Sequence, residues 1–359
     1  MQIKVKEDCF YKSDKYIDLD AIFSLIKERQ HAWIDIDLEE LSKTLWYQEL
    51  GKRDKDDLKR FTIASTRKIK NKLTINISED NVSPNTFNII EAKIYLKQPL
   101  SILVENSQYE TPFINSIIRN FDFESEINYA KEEGWLVYEN LGGGNNNAIE
   151  GKINESFNHP FLTKDKSEYL RTFVIKDSDR EYCSISEDGS TVSQQQLPPH
   201  KISYFKERNI PYHIWYKREK ENYIPNSVYI NYETDNVKKE YVKAYLRLNN
   251  HQMDFLDIEK GFSYFDKESN IVKVKDRNEL KPEIKKLYCN ISEDDYKILG
   301  LGFSVKYQNF KVNFSNEFAT VSRDDMLSRI NHQTRINSIH DEVERNEFDH
   351  IIHEIKRLL

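Results

Sequence analysis

Phe173-Val174-Ile175-Lys176-Asp177-Ser178-Asp179 is the stretch on which the reading of this chain turns. A short apolar run rich in β-branched and aromatic residues and stopped by turn formers has the composition of a strand buried on both faces, as in parallel α/β sheets. The turn that stops it is acidic. Side chains alternate along an extended segment, so residues two apart share a face, and Asp177 and Asp179 would then offer two carboxylates to one metal ion or a metal pair. Taken alone, Asp-Ser-Asp is equally an ordinary turn, so the neighbouring segments have to decide.

Working outward, three further runs share this texture: Ser101-Ile-Leu-Val-Glu105, Trp135-Leu-Val-Tyr138 and Tyr212-His-Ile-Trp-Tyr216. Between them lie helical stretches, the clearest over residues 111–119, with Phe113, Ile114, Ile117 and Ile118 at helical spacing. Strands alternating with helices over residues 96–230 predict an α/β domain with a parallel sheet. In such sheets the C-terminal strand ends open onto one crevice, so polar residues ending apolar strands are the candidates for chemistry. The first strand ends in Glu105, with Glu110 at the head of the next helix. The second is followed by Gly142-Gly143-Gly144 and Asn145 to Asn147. The third ends in Asp177-Ser178-Asp179-Arg180, and the fourth in Lys217-Arg218-Glu219-Lys220-Glu221-Asn222-Tyr223.

That order, a Glu, a Gly-rich turn, an Asp-x-Asp and a further Glu, each after its own strand, resembles the Toprim domain of topoisomerases, bacterial primases and the OLD-type nucleases with their defence-system relatives. The resemblance covers about residues 100–224. It departs from the family pattern at Asn106, where Gly is usual, and in a longer interval between Glu105 and Asp177. The resemblance implies a Rossmann-like Toprim fold and a Mg²⁺ or Mn²⁺ centre held by Asp177, Asp179 and Glu221, with Glu105 as ligand or general base and Glu110 as a further ligand. Carboxylates suit a hard cation that keeps part of its water shell and leaves room for a phosphate. Lys217 is expected to neutralise charge in the transition state.

The flanks read differently. Residues 1–95 are expected to form a mainly helical lobe after an opening strand, with Leu19, Ile22, Phe23, Leu25 and Ile26 at helical spacing and Leu38, Leu41 and Leu45 repeating it. Residues 51–72 hold nine Lys/Arg, read either as a solvated helix face or as a phosphate-contacting patch that uses Lys59, Arg60, Arg67 and Lys68, with Arg218 nearer the carboxylates. Residues 231–359 are expected to be a mixed α+β accessory region, with helices over 237–248 and 252–260, a strand over 303–313, and a last amphipathic helix over 342–359. Its Ile351, Ile352, Ile355 and Leu358 mark a packing or oligomerisation face, so His350 and His353 are read as part of that helix and His213 as a structural histidine. Residues 140–147 and 182–196 read as loops.

The net charge of −7 excludes a general electrostatic grip on nucleic acid, so any such site must be local. Three scattered cysteines fit neither a disulfide scaffold nor a zinc spacing. With no apolar segment of about 20 residues and no apolar leader, the chain is expected to be cytoplasmic, without membrane contact. It has no GxxxxGK[ST] loop and no GxSxG elbow, so energy coupling would need an ATPase partner. The expected function is a metal-dependent endonuclease, with DNA ahead of RNA as substrate, acting as an antiviral defence effector, as a monomer or homo-oligomer. The alternative is a Toprim-fold interaction module, or an effector held silent by an ATPase partner.

Overall fold

The structure, a computed structural model, describes residues 1–65, 72–80, 85–142, 147–186, 192–231, 236–303 and 315–359. Near the N-terminus, β1 (Gln2–Val5), β2 (Ala32–Trp33), β3 (Thr74–Ile77) and β4 (Thr86–Phe87) form a parallel sheet in the order β2-β1-β3-β4. The second sheet is built from β5 (Leu100–Val104), β6 (Leu136–Asn140), β7 (Thr172–Lys176) and, after a separate antiparallel hairpin of β8 (Cys183–Ile185) and β9 (Val192–Gln194), β10 (Tyr212–Ile214). Its order is β10-β7-β5-β6, parallel throughout. From β5 the chain steps outward to β6, then crosses back to β7 on the other side of β5 and continues outward to β10. The order therefore reverses between β5 and β7, and the crevice of an open α/β sheet lies at such a reversal.

Both faces of this sheet are covered, as the apolar run of the third strand requires. Leu100, Ile102 and Val104 of β5 and Phe173 and Ile175 of β7 join a core with the Ser107–Phe121 helix, Trp215 and the C-terminal helices. Leu103 and Val174, pointing the opposite way, join a core with Ile3, Ile75 and Ile77 of the first sheet and with Phe205. Each of these side chains contributes roughly 1.5–3 kcal/mol by leaving water. The last helix, Glu347–Leu358, is capped by Asn346, whose side-chain oxygen accepts from Asp349 N at 2.9 Å. It lays Phe348 between Phe113 and Phe121, with ring centroids 6.0 and 5.5 Å away.

Several expectations are corrected. The N-terminal region contains a parallel sheet as well as helices; two of its strands are two residues long, too short for an alternating pattern to register. The Leu38/Leu41/Leu45 spacing belongs to two short helices, Leu38–Ser42 and Leu45–Glu49, because Thr44 caps the second by accepting from Tyr47 N. The expected loop over 182–196 contains the β8–β9 hairpin, and residues 187–191 lie outside the described residues. The C-terminal helices are shorter than expected, at Asn236–Leu246 and Asn250–Phe255. Of the strand expected over 303–313, Phe303 is in a turn and the rest lies outside the described residues. Among the described residues no helix is long and apolar enough to cross a membrane.

Candidate active site

The acidic residues are delivered to the β5/β7 crevice by ordinary local rules. Glu105 follows the last residue of β5. Asn106 then caps the Ser107–Phe121 helix, accepting from Gln108 N at 3.0 Å, while its own N–H donates to Glu110 Oε1 at 3.1 Å. Asn106 has φ −143°, extended backbone that does not call for the glycine usual in Toprim domains. Glu110 is thereby turned back from the first helical turn to the strand end. Asp177 follows β7, and its Oδ1 accepts from Lys220 N at 3.2 Å, which ties the β7 end to the loop after β10.

That loop is held in place from below. Asn222, fully buried, donates to Met253 O at 2.7 Å and Leu256 O at 2.9 Å. Tyr223 donates its hydroxyl to Glu347 of the last helix at 2.5 Å and accepts from Lys217 N at 3.1 Å. Glu347 also accepts from Tyr216 N at 2.7 Å and lies 2.9 Å from His213 Nε2, so His213 has a structural partner. With Asn222 and Tyr223 anchored, Glu221 sits 3% exposed beside Lys220, whose Nζ lies 3.1 Å from Oε1. Among the described residues neither Glu221 oxygen accepts a hydrogen bond of good geometry.

Charge couples these groups. Burial raises the Glu105 carboxyl above its usual range, and Asp179 adds to that rise. Burial, with Glu105 and Glu221 nearby, pushes Glu110 up to about 7. Asp177 rises well above its usual value, through burial first and then through Glu110, Glu221 and Glu105. Lys220 opposes all three rises. Its own burial disfavours its charge, yet Glu221, Asp177 and Glu110 together raise its pKa. These acids are coupled through charge, with Lys220 as the cation among them; among the described residues the only group of three whose ligand atoms lie within 4.8 Å of one another is His251, Asp254 and His332.

The other expected residues are engaged differently. Asp179 lies beyond the strand in a left-handed conformation, φ +52°, so the alternation argument does not hold for it; its side chain is 60% exposed and paired with Lys201. Arg180 donates to the main-chain oxygens of Gln195, Trp215 and Tyr216, fastening the β8–β9 hairpin to the β10 end. Lys217 faces away from the carboxylates. It is fully buried, with Nζ 2.6 Å from Asp254 Oδ1, and burial together with Arg329 lowers its pKa to about 7. Arg218 is paired with Asp257 at 2.9 Å and Glu219 at 3.3 Å. In the basic segment, Lys59 and Arg60 are exposed on the Lys52–Ser65 helix beside Asp56 and Asp57, while Arg67 and Lys68 lie outside the described residues, as do Gly143 and Gly144. Gly142, two residues past β6, has φ +76°.

Sequence reasoning singled out Lys217 where the structure brings Lys220 to the carboxylates. Both are in one basic-acidic loop, and only the direction the loop takes after β10 separates them. It also passed over His251, Asp254 and His332, whose ligand atoms lie within 4.8 Å of one another; the His251-x-x-Asp254 spacing on a helix was the available signal. Asp254 is already engaged there, by Lys217, by His332 Nε2 at 2.5 Å and by Arg329 at 3.5 Å, which makes it the centre of a buried ion-pair network.

Fold and site together define a class: a doubly covered parallel α/β sheet with an acidic cluster at its topological switch point. Beyond that class the comparisons add nothing, since no family model, no curated protein and no solved structure matches the chain.

Proposed function

We propose that the chain is a Mg²⁺-dependent nuclease of Toprim type, hydrolysing phosphodiesters of nucleic acid, with DNA ahead of RNA. The observation that carries this reading is the group of buried acids after β5, β7 and β10, in which Glu221 meets Lys220 Nζ at 3.1 Å and bears by its charge on Asp177 and Glu110. Glu221, Asp177 and Glu110 would hold Mg²⁺ or Mn²⁺, which when bound supplies Lewis-acid activation of water and neutralises phosphoryl oxygens. Lys220 holds a fixed positive charge against the cluster and orients Glu221. Glu105, partly exposed at the rim with a raised pKa, takes up the proton released by the attacking water. Asp179 and Lys201 border the same edge.

A second reading, an effector kept silent until an ATPase partner acts, is favoured by one feature. Lys201 and Arg218, cations that a nucleic-acid backbone would meet at this edge, are engaged by Asp179 and Asp257. Plasmid nicking by the purified chain separates the two. Cleavage with Mg²⁺ that stops in EDTA and is lost in Asp177→Ala, with an unchanged or higher melting temperature because a crowded like charge is gone, supports the autonomous nuclease. Full cleavage by Asp177→Ala removes this cluster from the chemistry.

A further inference from the structure

At the opposite end of the second sheet, the N-terminal strand ends border a cavity of about 500 Å³. Arg171 immediately precedes β7, and Trp135 immediately precedes β6. A five-residue strand spans about 16 Å, so this cavity and the acidic cluster occupy opposite edges. Its lining includes Arg29, His31, Lys72, Arg171, Tyr129 and Trp135.

The charges in this lining are unevenly matched. The two side-chain carboxylates of the lining, Glu126 and Glu124, are paired with Lys72 and Lys356. Arg29 donates to the main-chain oxygens of Lys97 and Gln98, and Arg171 to those of Gln98, Leu358 and Leu359. Among the described residues neither guanidinium has an ion pair with a side-chain carboxylate. Arg171 is 3% exposed with its Nε unpartnered, His31 is 3% exposed with its Nε2 unpartnered, and Arg29 Nε is likewise buried without a partner. Burial lowers Arg171 to about 10, and burial followed by the neighbouring cations holds His31 well below its usual value. Buried cations are ordinarily paired, and the planar guanidinium fork matches the oxygens of a phosphate. Beside them Tyr129, 42% exposed, stands edge-on to Trp135 with centroids 5.3 Å apart, an aromatic wall of the kind on which a base stacks. The volume is that of a small-ligand site.

We propose that this cavity is a nucleotide-binding site, taking phosphates at Arg29, Arg171 and Lys72 and the base against Tyr129 and Trp135. It is independent of the acidic edge and does not rest on the nuclease reading. With Arg171, Gln98 and Trp135 at the starts of β7, β5 and β6, an occupant would bear on the same strands that carry Asp177 and Glu105 at their far ends.

Calorimetric titration of the full chain with ATP, GTP, CTP, UTP and pyrophosphate in excess EDTA tests it, because the chelator removes any metal-mediated binding at the carboxylates. At least one nucleotide is expected to bind about tenfold or more tightly than pyrophosphate. Arg29→Gln should weaken that binding at least tenfold at an unchanged melting temperature, Tyr129→Ala should erase the preference over pyrophosphate, and Asp177→Ala should bind as the parent does. Arg171, being buried, is left intact so that folding is not in question. Failure of all four nucleotides to bind, binding indifferent to Arg29→Gln, or pyrophosphate binding as tightly as the nucleotides would each overturn the proposal.

Discussion

Glu110 shows at a single residue how the acidic edge couples function to stability. Its carboxyl is pushed up to about 7, so between about pH 4.5 and 7 the folded chain holds a proton there that the unfolded chain has released. Stability therefore falls as pH rises through this window, by up to about 3 kcal/mol for a shift of this size. Glu110→Gln, which cannot ionise, should flatten that fall and melt higher than the parent at pH 7.5, as measured by thermal unfolding across pH. Mg²⁺ should raise the parent's melting temperature at pH 7.5 more than at pH 5.5, because a cation competes with protons for these oxygens. A parent whose stability rises from pH 5 to 7, with the Gln variant following the same curve, would show that Glu110 is not held in the protonated direction.

Among the elements, the loop after β10 does the most to shape the site, and it marks where sequence reading stops. The strands around it were legible because β5 and β7 carry the apolar runs 102–104 and 173–175 with acids just after the strand ends. Glu105, Glu110, Asp177 and Glu221 were legible through that same placement. The loop was not, since Lys217-Arg218-Glu219-Lys220 offers four charged side chains in a row and nothing in their order says which turns inward. Asp254 settles it by drawing Lys217 into a buried network with Arg329 and His332, leaving Lys220 for the carboxylates. Asp179 misled for a related reason: its left-handed backbone takes it out of the strand whose alternation was assumed. A structural role for Lys217 has a sharp consequence. Lys217→Met leaves buried Asp254 with one cation fewer, and breaking such a pair costs about 3–5 kcal/mol; denaturant titration should show this loss. A variant of parental stability that had lost only its activity would instead return Lys217 to the chemistry.

At the scale of the whole molecule, the second sheet belongs to two cores at once. Leu103 and Val174 are sealed by residues from the first hundred positions, while Phe173 and Ile175 lie in the core that the last helix completes. During synthesis the strands carrying Asp177 and Glu105 thus emerge long before one of their faces can close, and the Glu347 carboxylate that secures Tyr216 and Tyr223 follows them by 131 and 124 positions. A chain stopped after residue 345 should keep much of its helical circular dichroism, bind the dye ANS and unfold over a broader urea range than the full chain; an equally sharp transition in the shortened chain would contradict this. The acidic edge is therefore assembled only after Glu347 has been added, so a chain ended before it would display the acids without the loop anchoring that groups them.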